Sequence, residues 1–137
     1  MPDIRAIHLA KLSALLPNFA NYWRENASMN GSDTDEHTLS GVFMDASQFV
    51  GDQLQEGNAF DLPGALHYIE SVLETGTKEE QDAAATCFLE YLMNITPTKI
   101  GPNLWIPLLG TKSREFCRAW DEWTGYRTEY LHANPTR

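Results

Sequence analysis

The chain has 137 residues, 42% of them apolar and 21% charged, which is the composition of one globular domain and not of a disordered acidic tail. Its formal charge of −9 argues against nucleic acid or an anionic membrane as a target and favours a basic macromolecule. No continuous apolar run approaches the ~18 residues of a membrane span, and Arg5, His8 and Lys11 interrupt the apolar N-terminal segment, so no secretory leader is expected and a cytoplasmic location is.

In chain order the pattern is helix after helix. Ile4, Ile7, Leu12 and Leu15 recur at helical spacing up to Pro17, which suits the first turn of a second helix carrying Phe19, Tyr22 and Trp23. Residues 26–35 are polar and turn-rich and predict the longest loop. A third helix is predicted from about Thr38 to Glu56, with Leu39, Val42, Phe43, Ala46, Phe49, Val50 and Leu54 on one side and Gly57 as its stop. Asp61 then reads as an N-cap with Pro63 in the first turn, and Leu62, Leu66, Ile69 and Leu73 form the apolar stripe of a fourth helix ending at Gly76. Thr77 and Glu80 have capping-box spacing, which opens a fifth helix burying Ala84, Cys87, Phe88, Tyr91, Leu92 and Ile95 and closed by Pro97.

The Pro- and Gly-rich stretch from Thr96 to Gly110 is expected to wrap the domain with at most a short helical turn. A last helix begins near Thr111 or Ser113, carries Phe116, Trp120 and Trp123 at i, i+4 and i+7, and stops at Gly125; the tail beyond it has no strong pattern. No segment alternates with period two over a strand's length. The expectation is therefore an all-α, compact HEAT/armadillo-like bundle of about six helices in antiparallel pairs. Its parts are N-terminal helices over 3–26, an acidic loop over 27–37, a helical core over 38–96, a connection over 97–110, and a C-terminal helix and tail over 111–137.

The net charge comes from the middle of the chain. Between Arg24 and Lys99 lie Glu25, Asp33, Asp35, Glu36, Asp45, Asp52, Glu56, Asp61, Glu70, Glu74, Glu79, Glu80, Asp82 and Glu90, with Lys78 as the single cation. Helical geometry aligns many of them away from the apolar stripes: Asp45 and Asp52 on the third helix, Glu70 and Glu74 with His67 and Ser71 on the fourth, and Glu79, Asp82, Thr86 and Glu90 on the fifth. Good dipole and capping chemistry accounts for Asp61, Glu79, Glu80 and Asp82. It does not account for the scarcity of Lys and Arg, because ordinary solvated helices intersperse both signs. An acidic face for a basic partner is expected, made of Asp45, Asp52, Glu70, Glu74, Asp82 and Glu90, with Asp33, Asp35 and Glu36 added from the loop.

No reaction is legible. His67-x-x-Glu70 reverses the di-iron Glu-x-x-His order and occurs once, and Asp33-x-Asp35 lacks the remaining ligands of a calcium loop. No serine sits in a nucleophile elbow, and no Gly-rich phosphate cradle is present. Cys87 and Cys117 follow apolar periodicity and read as buried free thiols. No cofactor, metal or catalytic residue is expected. Trp105, Trp120 and Trp123 are expected to cement the C-terminal helix, with an exposed Trp105 or Tyr126 as the other reading.

The stretch Leu62–Leu92 (LPGALHYIESVLETGTKEEQDAAATCFLEYL), followed by Leu109–Gly125 (LGTKSREFCRAWDEWTG), resembles a group of small, acidic, all-α bacterial proteins of uncharacterised-domain type. Some of these are similar to immunity proteins of polymorphic-toxin and contact-dependent growth inhibition systems. The resemblance covers about half the chain and rests on structural motifs, so it transfers no functional residue. It implies a non-enzymatic toxin inhibitor whose partner is a cognate basic protein toxin, an RNase or DNase domain. The sequence leaves the oligomeric state open, with a monomer favoured. A helical protein-interaction adaptor unrelated to toxins is the alternative.

Overall fold

A computed structural model describes residues 3–29, 38–96 and 98–132. The described residues are helical with no strand: α1 (Ile4–Leu15), α2 (Phe19–Met29), α3 (Leu39–Glu56), α4 (Leu62–Thr75), α5 (Lys78–Asp82), α6 (Glu90–Ile95) and α7 (Thr111–Thr124). A π-helical stretch, Ala83–Leu89, joins α5 to α6 in one rod, and two 3-10 turns, Pro102–Leu104 and Ile106–Leu108, precede α7. The chain is thus an all-α bundle of about six helical rods.

Local chemistry explains most boundaries. Asp3 caps α1 by accepting from the Arg5 N–H, Thr38 caps α3 by accepting from the Gly41 N–H at 2.9 Å, and Asp61 caps α4 by accepting from the Gly64 N–H at 2.9 Å. Thr77 and Glu80 form the expected reciprocal box: the Thr77 N–H donates to Glu80 Oε1 at 2.8 Å, and the Glu80 N–H donates to Thr77 Oγ1 at 3.2 Å. Gly57 (φ 73°) and Gly125 (φ 83°) end α3 and α7 in the left-handed region, where a side chain would be strained.

Three expectations shift. α2 runs on to Met29, so the first residues of the predicted loop are helical, and the connection from α1 turns on Asn18 at φ 73°, not on a proline inside the helix. The rod after Thr77 is not a single α-helix. Its π stretch takes more residues per turn and rotates the buried face, so Ala83, Leu89 and Met93 join Ala84, Phe88 and Leu92 inside while Cys87 and Tyr91 are only half-buried. The Phe88 carbonyl within it accepts from Ser47 Oγ at 2.7 Å, a buried bond that ties the stretch to α3. The segment after α7, as far as His132, is finally held in place. The buried Asp121 carboxylate accepts from the Thr128 N–H (2.7 Å), Thr128 Oγ1 (2.8 Å) and His132 Nε2 (2.7 Å), and Leu131 is fully buried.

The core runs from Leu12, Leu16 and Phe19 through Phe43, Leu66, Ile69 and Phe88 to Trp105 and Leu131, all fully buried or within 1% of it. Trp105 lies between the two 3-10 turns and donates from Nε1 to Thr96 Oγ1 at 3.0 Å. It cements the bundle, and the reading of Trp105 as an exposed anchor is excluded. Both cysteines carry free thiols; Cys117 is fully buried, and burial, with the Asp121 charge, pushes its thiol up to about 12.

Candidate partner-binding surface

Among the described residues, the acids picked from the sequence do not all reach the surface. Asp33, Asp35 and Glu36 lie outside the described residues. Asp45 and Asp52, half-buried on α3, lie near Tyr22 of α2: burial first, then the Asp52 and Asp45 charges, push the Tyr22 phenol up to about 12. Asp52 itself is raised, by burial first and then by Glu56, with Lys99 opposing. Glu90, at the start of α6, is half-buried just past the π turn, which has changed the helical phase since Asp82.

Glu70 is the clear correction. It was expected on the solvent side of α4, but it is 7% exposed and faces α7. Gly110 occupies the N-cap position of α7 and has no side chain to offer. Glu70 supplies the cap from another helix: Oε2 accepts from the Lys112 N–H at 2.9 Å, and Oε1 accepts from the Ser113 N–H at 2.9 Å and from Ser113 Oγ at 2.8 Å. A Cβ on Gly110 would stand 2.5 Å from the Glu70 carboxyl carbon, so close approach demands glycine there. Burial pulls the Glu70 carboxyl up, but the Lys112 and Ser113 hydrogen bonds outweigh it and hold the group below the ordinary carboxylate value. This carboxylate is structural and is withdrawn from any partner surface.

One turn further along α4 the situation reverses. Glu74 of α4, Asp82 of α5 and Glu115 of α7 line one open depression of about 490 Å³, with Leu73, Phe116 and Lys112 among its walls. Glu74, Asp82 and Glu115 are exposed. Lys78 reaches Asp82 at 3.2 Å as an exposed i, i+4 pair, which offsets little of the charge. Glu115 was not singled out from the sequence because it lies in a mildly basic segment; only the packing of α7 on α4 carries it across.

A second constellation was also missed. His8 of α1 is buried, with Tyr68 Oη on Nδ1 and Glu80 Oε2 on Nε2 at 2.6 Å. Its position on the line Ile4, His8, Leu12 was a legible sign that it faces inward. Burial, and then the Glu80 charge, push the Tyr68 phenol up to about 12, so at neutral pH it is a protonated donor. Glu80, held low by the Thr77 N–H and by His8, serves both the helix cap and the histidine. Each of these groups is engaged by the others, and together they brace α1, α4 and α5.

Among the described residues no group of three His, Cys, Asp or Glu side chains is arranged to hold a metal ion, and no helix is long and apolar enough to cross a membrane. Fold and surface together define an all-α bundle with an acidic opening between α4, α5 and α7. The chain matches the family described as Domain of unknown function (DUF7674) over residues 9–126 and belongs to it. That span takes in every residue of the depression and ends just past the α7 cap. No curated protein and no solved structure matches the chain.

Proposed function

We propose that this protein is an immunity protein: it binds a cognate basic, nuclease-type toxin in the cytoplasm and neutralises it without catalysis. The observation that carries the reading is the meeting of Glu74, Asp82 and Glu115, from three helices, in one exposed depression on a chain of charge −9. Like charges gathered on one surface work against folding, and a basic partner reverses that cost on binding. Such a surface also speeds encounter with a cationic nuclease, whose own active-site region is built to attract phosphate. The resemblance of Leu62–Leu92 and Leu109–Gly125 to immunity-like proteins supports the same reading.

The test is co-expression with the gene immediately upstream, where an immunity gene's toxin partner is encoded. The expected result is growth arrest by the upstream product alone and rescue by this protein. Arrest without rescue, or an upstream product with no toxicity, would overturn the reading and leave the adaptor role.

A further inference from the structure

The outer face of α7 differs from what apolar periodicity predicts. Trp123 was expected in the core with Phe116 and Trp120, yet it is 80% exposed. The line that α7 turns inward is instead Ser113, Cys117 and Asp121. Lys112, Glu115, Ala119, Glu122 and Trp123 are all exposed and recur at the spacing of a single helical face. Tyr126, 60% exposed, follows just past the Gly125 cap.

Trp123 is not a loose side chain. Its ring stands 5.5 Å from that of Trp120, tilted by 51°, and Trp120 packs against the core. A large, braced aromatic ring in water is a pre-organised contact that loses little side-chain freedom on docking. The same face runs back to the depression: Glu122 adjoins Trp123 on the helix, and Glu115, two turns earlier, lines the opening with Glu74 and Asp82. Lys112 is the one cation of that helical face.

We infer that the outer face of α7 is the docking surface for an Arg- or Lys-bearing segment of a partner protein, with Trp123 as its anchor. An indole face attracts a guanidinium or ammonium group, and the carboxylates along the face toward the depression meet the partner's remaining positive charge. A purely apolar partner would cover these carboxylates and leave them without counter-charge, and an acidic partner would be repelled. Trp is among the side chains most enriched where an interface's affinity concentrates. The inference rests on the proposed function and names the contact surface for it.

The test titrates the full-length protein against the purified product of the upstream gene at low and moderate salt. Trp123→Ala is expected to weaken binding about thirtyfold or more, the loss typical of an interface hot spot. Trp123→Phe should retain part of the affinity, and both should keep the wild-type circular dichroism and unfolding midpoint because the ring is exposed. The Glu74→Lys/Glu115→Lys double variant should slow association most at low salt. Wild-type affinity in Trp123→Ala, with the charge variant impaired, would overturn the α7 anchor and leave the immunity reading standing. Absence of binding by the wild-type protein would overturn both.

Discussion

Glu70 and Glu74 stand one turn apart on α4 in opposite surroundings. Glu70 turns under α7, where it accepts three hydrogen bonds, two of them from N–H groups that the α7 N-terminus would otherwise leave unsatisfied. Glu74 turns outward into a depression that it shares with Asp82 and Glu115. The two residues have the same side chain and helical stripe, but one holds the fold together while the other is available to a partner. Acidic composition is therefore no measure of acidic surface: each carboxylate has to be followed to what it touches.

Glu70 and Glu74 should differ most in what their loss costs the fold. Glu70→Ala removes the cap and leaves the Lys112 and Ser113 N–H groups with no acceptor, so it is expected to destabilise the protein by about 3 kcal/mol in denaturant unfolding. Glu74→Ala should change the same measurement by no more than about 0.5 kcal/mol. Equal effects at the two positions would refute the division drawn between them. Gly110→Ala attacks the same junction from the other side and is expected to cost about 2 kcal/mol by crowding the carboxylate. In the Glu70→Ala background that cost should shrink, because the two changes share one contact.

Titration sharpens the contrast. Folded Glu70 and Glu80 are held below their ordinary values, so the folded state gives up protons that the unfolded chain still binds in that window. Their contribution is complete above the ordinary carboxylate pKa and is lost as pH falls through the depressed values. Unfolding midpoints measured from pH 7 down to pH 3 should show this acid loss in the wild type and a flatter acid limb in Glu70→Gln.

Smaller effects are expected at the brace and at the second acidic group. Tyr68→Phe removes the hydroxyl on His8 Nδ1 and should cost about 1 kcal/mol in the same unfolding assay. Asp52→Asn goes the other way. Burial and Glu56 raise the folded Asp52 carboxyl, so its ionised form opposes folding, and the amide should match or slightly exceed wild-type stability at pH 7, by no more than about 0.5 kcal/mol.

Much of the fold was legible because helix ends are local events. Thr38, Asp61 and the Thr77–Glu80 box announce starts, Gly57 and Gly125 announce stops, and each depends on residues within one turn. The site was less legible. Glu74 and Asp82 came from helical spacing, but Glu115 arrives from a distant part of the chain, and Asp45 and Asp52 sit apart beside Tyr22. His8 could have been found from its place on the apolar line of α1; its partners, 60 and 72 residues away, could not.

α7 marks the boundary between the two kinds of knowledge. The sequence alone determined that a helix starts near Thr111 or Ser113 and stops at Gly125, because its periodicity and its terminal glycine are properties of the local chain. Which side of that helix lies inward was decided by the tertiary structure. Gly110 and Ser113 admit the close approach of Glu70 on α4, which completes the helix end, and Asp121 holds Thr128 and His132. Those contacts rotate Trp123 out to solvent although its apolar character would favour burial, because contacts between distant segments outweigh what a single side chain prefers.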